Sequence, residues 1–204
     1  WHPYTQHFDA PVPTVITRAE GAYLYDDGGR RIFDAISSWW VTLHGHAHPN
    51  IAAAIARQAG TLEQVVFAGF THEPAARLAA ALAALLPPGL TRVFFSDDGS
   101  TAVEVALKMA LQFWAGQGKR RPLIAALEHA YHGDTFGAMA ASERGVFTAP
   151  FAGQLFEVVR LPDPSDDGFA TVAALDRVLE TRGAELAAVI VEPLLLGAGG
   201  MRVW

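Results

Sequence analysis

One short polar segment carries residue types suited to binding a phosphate. In Asp98-Gly99-Ser100-Thr101, a glycine and two hydroxyl side chains open a stretch of helical periodicity. Free backbone N–H groups and the positive end of the helix dipole favour an anion at such a position, and glycine lets it approach the backbone closely. A capped helix with nothing bound has the same pattern, so this segment alone leaves both alternatives open.

A second polar segment could hold a planar ring. Between residues 128 and 135 the chain combines Tyr131, His132, Gly133 and Asp134. An aromatic ring beside a phosphate-binding turn is what a planar heteroaromatic cofactor needs for stacking. A packed tyrosine and a helix N-cap at Asp134 would explain the same residues without a ligand.

Two other positions are candidates for lining or supporting a site. Trp39 and Trp40 follow a polar pair outside any helical pattern, so they could form one wall of an apolar substrate pocket, although core packing would also explain them. Glu192 ends an apolar segment, where an ionised carboxylate needs a partner.

Three alternating histidines raise the alternative of a metal site. An extended backbone would point His44, His46 and His48 to one side, and zinc accepts such ligands. Gly45 and Pro49 flank them, and no carboxylate is near in sequence. We therefore expect no metal site here.

The elements that would position these residues form two series. Residues 14–34 predict a small β-meander with a turn at Asp26-Asp27-Gly28-Gly29, and residues 49–60 and 73–86 predict helices. Beyond residue 91, apolar strands alternate with helices. This alternation predicts an α/β fold with a mostly parallel sheet, whose ligands lie beyond the carboxyl ends of its strands. The strands are expected at 92–95, 123–127, 155–160 and 186–191, and the helices at 100–114, 135–141 and 172–182.

Bulk composition excludes several classes of protein. The chain of 204 residues is 51% hydrophobic and 18% charged, which is typical of a globular protein. Its formal net charge of −6 argues against a nucleic-acid partner. The absence of cysteine excludes disulfides and is compatible with a cytoplasmic location. No apolar run reaches the roughly 20 residues that span a membrane, and residues 1–5 do not begin a signal peptide.

Together these segments are similar to the class III aminotransferases of pyridoxal 5'-phosphate (PLP) fold type I, over essentially the whole chain. The resemblance implies an aspartate-aminotransferase-like fold, with helices flanking the sheet and a small N-terminal β-meander. Residues 1–50 would belong to the small domain and substrate pocket, and residues 51–204 to the first part of the large PLP-binding domain. The matching motifs are Asp26–Asp34, Gly45-His46-Ala47-His48-Pro49, Gly99-Ser100, Tyr131-His132-Gly133-Asp134-Thr135 and Glu192-Pro193.

The resemblance also implies roles for individual residues, in cofactor binding and in substrate binding. Asp98 stands where the family often has serine, and we expect its carboxylate to point to solvent. The implied roles are phosphate binding for Gly99 and Ser100, stacking on the cofactor ring and substrate contact for Tyr131, support beneath the ring for Glu192, the substrate pocket for Trp39 and Trp40, recognition of a keto substrate by the Tyr4 hydroxyl, and steering of a substrate amine by Asp134.

Within the class, four motifs are similar to the members that serve biotin biosynthesis: residues 1–5, 37–40, 133–139 and 197–201. This narrower resemblance implies S-adenosylmethionine as amino donor, 8-amino-7-oxononanoate as acceptor, and a homodimer. The alternatives are another class III ω-aminotransferase, such as one acting on ornithine or γ-aminobutyrate, or a non-catalytic PLP-binding or dimerising chain.

The chain has only two lysines, and neither fits the catalytic role. PLP transamination needs a lysine as Schiff-base partner and proton shuttle. Lys108 lies inside a predicted helix and Lys119 in a basic loop. The resemblance implies that the catalytic lysine and the aspartate of the ring nitrogen lie beyond Trp204, so we expect these 204 residues alone to be inactive.

Overall fold

The computed structural model describes residues 2–3, 5–164 and 168–204. The chain forms two compact units, residues 1–91 and 92–204. The expected boundary near residue 50 refers to the domains of the family and stays a prediction. In the described ranges, no helix has both the length and the apolar character needed to cross a bilayer.

The first unit contains the predicted β-meander. Strands β1 (Ile16–Glu20), β2 (Tyr23–Asp26) and β3 (Arg31–Phe33) form an antiparallel sheet in that order, so the first strand begins two residues later than expected. The turn between β2 and β3 is closed by the Asp26 carboxylate, which accepts from the backbone N–H and the guanidinium of Arg30. The sequence predicts this hairpin correctly because the residues that close its turn are only four positions apart.

The regular elements that follow the meander in the first unit are helical. A single helical turn at Ser37–Trp40 is left-handed, with φ between 47° and 70°. Helices α1 (Pro49–Ala59) and α2 (Glu73–Leu85) follow, and both were predicted. Each has a proline in its first turn, where the missing N–H costs no helical hydrogen bond.

The second unit is built on a parallel sheet, which confirms the predicted fold class. Strands β4 (Leu123–Leu127), β5 (Val158–Leu161) and β6 (Leu186–Ile190) pair in the order β5-β4-β6. All five residues of β4 are buried, which explains its continuous apolar sequence. The buried cluster of this unit consists of Leu123, Ala125, Leu127, Ala130, Leu161, Leu186 and Leu196.

The helices of the second unit alternate with these strands as predicted. They are α3 (Gly99–Gly116), α4 (Phe136–Ala141) and α5 (Phe169–Arg182), and a 3₁₀ turn at Ala149–Gln154 precedes β5. A short antiparallel pair, β7 (Leu195–Leu196) and β8 (Arg202–Val203), follows β6 and was not predicted.

The predicted strand at 92–95 is wrong. The structure assigns no strand there, because a strand requires a ladder partner and none of the described strands pairs with this segment. The strand expected at 155–160 is also shifted, since β5 covers only Val158–Leu161. Apolar β-prone residues are compatible with a strand, but pairing is a long-range property that they do not specify.

Candidate functional site

The N-terminus of α3 is closed by a capping box. The Asp98 carboxylate accepts from the backbone N–H of Thr101 at 2.8 Å, and the Thr101 hydroxyl accepts from the Asp98 N–H at 3.1 Å. Asp98 is exposed to solvent, as expected, and its carboxylate in addition caps the helix. An N-cap carboxylate is favourable here because it satisfies a free N–H and faces the positive helix end.

Ser100 links the start of α3 to the loop that precedes α4. Its Oγ accepts from the backbone N–H of Thr135 at 3.0 Å and lies 2.8 Å from the Thr135 hydroxyl. Gly133, with φ +130°, lies directly against it, because a Cβ at this glycine would fall 2.3 Å from Ser100 Oγ. The two polar segments found in the sequence are thus joined through one serine, even though residues 92–95 do not form a strand.

Glu104 anchors the same junction from one turn further along α3. Its Oε1 accepts from the N–H groups of Gly137 and Ala138 at the start of α4, at 2.5 and 3.1 Å. Desolvation raises the pKa of Glu104, but the opposing hydrogen bonds from Thr135, Ala138 and Gly137 outweigh it, so the net pKa is lowered. The carboxylate is therefore ionised at neutral pH and stabilises the end of α4 that follows the tyrosine loop.

Tyr131 is held by hydrogen bonds of both its side chain and its backbone. Its hydroxyl donates to Asp134 Oδ2 at 2.8 Å, and its backbone N–H donates to Glu192 Oε1 at 2.8 Å. Glu192 Oε2 accepts from the N–H of Gly197, so this carboxylate ties the loop after β4 to the loop after β6. Tyr131 is 44% exposed. The ring is therefore accessible yet fixed in orientation. The sequence indicated that the Glu192 carboxylate needs a partner, and two backbone N–H groups serve as that partner.

A buried polar network lies behind the tyrosine loop. The N–H of His132 donates to Ser142 Oγ at 2.8 Å, and the guanidinium of Arg160 donates to the carbonyls of Ala140, Ala141 and Ser142 at the end of α4. Burial lowers the pKa of His132, and nearby Glu192 opposes that shift. Its Nε2 is buried and has no hydrogen-bond partner in the described part of the chain. Such an atom is available to a group supplied from elsewhere.

A cluster of charged residues stands beside this network. His129 donates through Nδ1 to Asp163, which also receives the guanidinium of Arg202 at 3.2 Å. A Cβ at Gly199 would collide with the His129 carbonyl oxygen at 2.3 Å. The cluster thus fixes the loops after β4 and β5 against the β7–β8 pair. Nowhere in the described ranges do three or more histidine or acidic side chains form a group that could hold a metal ion.

The tryptophan pair lies in the first unit, on the left-handed turn. Trp39 and Trp40 are 67% and 57% exposed, so they are not core residues of this chain. A left-handed residue other than glycine costs roughly 1–2 kcal/mol, and four occur here in succession. Tyr4, the predicted keto-substrate residue, lies outside the described residues.

One of the three alternating histidines, His46, pairs with a carboxylate. His46 Nε2 lies 2.7 Å from Asp34 Oδ2, and the rings of His44 and His48 meet edge-on with centroids 6.2 Å apart. A cavity of about 260 Å³ is lined by these histidines and by apolar residues of α1. The partner of His46 is twelve residues away in sequence, which is why the alternating pattern gave no sign of it.

The N-terminus of α3 has the chemistry that a cofactor phosphate needs. The N–H groups of Gly99 and Ser100 have no acceptor among the residues that the structure describes, and the space beside Gly99 is open for 4 Å around a Cβ position. Tyr131 belongs to the loop that Ser100 contacts through Thr135. The residues therefore fit a group with a phosphate and a flat ring, and Asp98 adds a negative charge beside them.

Sequence reasoning did not single out Glu104, Thr135 or Asp34, whose hydrogen bonds hold the segments that carry the candidate residues. Glu104 could have been identified from the helical pattern, because it lies four residues after Ser100 and therefore on the same face of the predicted helix. Thr135 and Asp34 lie in motifs that match the family, but their contacts could not be foreseen, because Thr135 pairs with a residue 35 positions away and Asp34 with one 12 positions away. Lys108 lies within α3 as predicted, and Lys119 places its Nζ near the Trp114 ring.

The sequence matches one family of enzymes over almost its whole length. The model of the family "Aminotransferase class-III" matches residues 4–204, and the chain belongs to that family. It spans about half the length of the curated relatives that it matches.

The relatives point to one branch of the family. The chain is 54% identical over its whole length to an adenosylmethionine-8-amino-7-oxononanoate aminotransferase of Synechococcus elongatus, covering 50% of that protein. A structure of the enzyme of the same name from Methanocaldococcus jannaschii superimposes with a TM-score of 0.92 at 34% identity, and this chain covers 47% of it. An amine transaminase from an uncultivated Pseudomonas species, solved in a PLP-bound form, gives 0.85 at 31%, with 100% of this chain and 50% of that one covered.

Proposed function

We propose that this chain is the part of a PLP-dependent transaminase that binds cofactor phosphate and substrate. The complete protein would transfer the amino group of S-adenosylmethionine to 8-amino-7-oxononanoate and give 7,8-diaminononanoate, a step of biotin biosynthesis. The observation that carries the proposal is the 54% identity, over the whole chain, to a relative of that name. The geometry around Ser100 and Tyr131 supports it independently of any name.

The proposed cofactor site uses residues of the second unit. Gly99 and Ser100 would bind the phosphate through their N–H groups and the Ser100 hydroxyl, and Tyr131 would pack on the ring. PLP supplies the electron sink of the reaction when it is bound. Glu192 would keep Tyr131 in place through the N–H bond that it accepts.

The proposed substrate residues are aromatic or acidic. Trp39, Trp40 and Tyr131 would offer flat apolar area, which suits a site that must accept two unlike substrates in turn because such area has no fixed hydrogen-bond code. Tyr4 would donate its hydroxyl to the keto substrate. Asp134 already accepts from the Tyr131 hydroxyl, so we assign it to positioning that ring as well as to the weaker role of steering a substrate amine.

Further parts of the proposal concern assembly and location. We propose a homodimer, which the resemblance to the class III family implies, and a cytoplasmic location, with which the absence of cysteine is compatible. Residues 1–50 would contribute to the small domain and residues 51–204 to the large one.

Turnover by the complete protein tests the proposal. The purified protein is loaded with PLP and given S-adenosylmethionine and 8-amino-7-oxononanoate, and 7,8-diaminononanoate is measured by mass spectrometry. We expect product only when both substrates and PLP are present. Product formed equally well from ornithine or γ-aminobutyrate as donor would favour another ω-aminotransferase, and PLP binding without any turnover would favour a non-catalytic binding chain. The 204 residues alone should give no turnover.

A further inference from the structure

The left-handed turn at Ser37–Trp40 is a strained segment, and one carboxylate side chain supports it in addition to the backbone hydrogen bonds of the turn. Strained backbone persists only where surrounding contacts over-determine it, and it is concentrated at functional sites. The Ser38 hydroxyl donates to Asp34 Oδ2 at 2.8 Å, and His46 Nε2 lies 2.7 Å from the same oxygen. The Asp34 side chain is only 5% exposed, and that of His46 is 14% exposed. This is a built contact and not a transient surface pair.

The carboxylate itself is fixed by the meander. The backbone N–H of Asp34 donates to the Ala22 carbonyl, while His46 and Gly21 exchange two backbone hydrogen bonds. Gly45, at φ +83°, packs so closely on Gly21 that a Cβ would lie 3.1 Å from its Cα. Both partners of the pair are therefore tied to the same β1–β2 turn, which makes the pair a rigid support.

Asp34 is ionised throughout the physiological range. The backbone N–H of Ser38, the His46 ring and the Ser38 hydroxyl together lower the pKa of Asp34 to about 2. A permanently charged acceptor makes hydrogen bonds that are stronger than neutral ones, and here they go to the first half of the turn that carries the two indoles.

We propose that Asp34 and His46 are positioning residues that hold Ser37–Trp40 in its left-handed conformation and so present both indole rings to substrate. The tryptophan pair follows Ser38 directly, so loss of the anchor would let the turn relax to ordinary dihedral angles and redirect Trp39 and Trp40. Only the contact of the two indoles with substrate rests on the proposed function. The support of the turn by Asp34 and His46 rests on residues of the first unit alone.

The test measures the turn and the reaction separately. In the complete protein without PLP, near-UV circular dichroism reports the tryptophan environment, and Trp39→Phe and Trp40→Phe identify the signal of this pair. We expect Asp34→Asn and His46→Leu to remove most of that signal, and His46→Gln, which keeps a donor, to retain it. Asp27→Asn makes the same chemical change on the exposed turn of the meander and should leave the signal unchanged.

The kinetic readout uses the PLP-loaded protein. Asp34→Asn should raise the KM for 8-amino-7-oxononanoate by roughly tenfold, with a much smaller change in kcat and no change in PLP affinity. If Asp34→Asn does not fold, Ser38→Ala removes only the hydroxyl bond and should shift both readouts in the same direction. An unaltered tryptophan signal in folded Asp34→Asn overturns the inference, and so does an altered signal with unaltered KM. Absence of turnover in the wild-type protein refutes the proposed function but leaves the dichroism test intact.

Discussion

Replacing Gly133 by alanine should disrupt the junction between α3 and the tyrosine loop. The new Cβ would lie 2.3 Å from Ser100 Oγ, 2.5 Å from Ser100 Cβ and 2.8 Å from Ser100 Cα. The last of these atoms is backbone, so a rotamer change cannot relieve the contact. The residue also has φ +130°, which L side chains rarely adopt.

The size of the effect follows from these two causes. Overpacking costs about 1–3 kcal/mol, and a strained backbone position costs about 1–3 kcal/mol more. We therefore expect Gly133→Ala to lower the free energy of unfolding by about 2–6 kcal/mol. Because Ser100 must move away from Thr135, we also expect PLP affinity to fall by at least about tenfold.

Urea unfolding of the cofactor-free complete protein, followed by tryptophan fluorescence, measures the first quantity, and absorbance titration with PLP measures the second. Gly145→Ala is the matched control, since its Cβ would meet open space, and it should stay within about 0.5 kcal/mol of wild type. Adding Ser100→Gly to Gly133→Ala removes two of the three short contacts and should recover part of the stability but not the PLP affinity. A Gly133→Ala protein as stable as Gly145→Ala would refute the packing argument.

Two further predictions concern charges at helix ends. Glu104 has a folded-state pKa below its usual 4.5, so its ionised form contributes stability above that pH, and the contribution is lost as pH falls through the lowered pKa. Glu104→Gln should therefore cost about 1–2 kcal/mol at pH 7, and urea midpoints should converge with wild type in acid; a pH-independent difference would contradict this. Asp98→Asn keeps an acceptor for Thr101 but removes a negative charge beside the proposed phosphate site. PLP affinity should rise up to roughly fivefold at low salt, whereas Asp98→Ala should lose about 1 kcal/mol of stability with the cap; equal PLP affinity in Asp98→Asn at low and high salt would contradict the charge argument.

Local sequence patterns were sufficient to predict most of the helices and strands. The β-meander, α1, α2 and the helices of the second unit are where the sequence placed them, because turn residues, proline positions and hydrophobic periodicity act over a few residues. Parallel pairing of β4 with β5 and β6 followed from continuous apolar strands separated by helices. Motif order was enough to point to the class III aminotransferases, and the family match confirmed it.

The candidate site was only half predictable. Gly99, Ser100 and Tyr131 stood out because a glycine and a hydroxyl at a predicted helix start suit a phosphate, and an aromatic ring in the next polar loop suits a planar ring. Their roles in binding remain predictions, but the joining of the two segments through Ser100 and Thr135 could not be foreseen. A strand at 92–95 was expected to place the Gly99-Ser100 turn at the edge of the sheet, but no such strand exists among the described strands.

The sequence by itself determined which residues prefer helix, strand or turn, which residue types could bind a phosphate and a ring, and the family. Tertiary structure alone decided that Glu104 serves the start of α4, that Glu192 ties two loops through backbone N–H groups, and that Asp34 with His46 supports a left-handed tryptophan turn. The physical reason is the same in each case. A carboxylate is stabilised by whichever donors the fold brings within about 3 Å, and donors many residues away leave no trace in a local pattern.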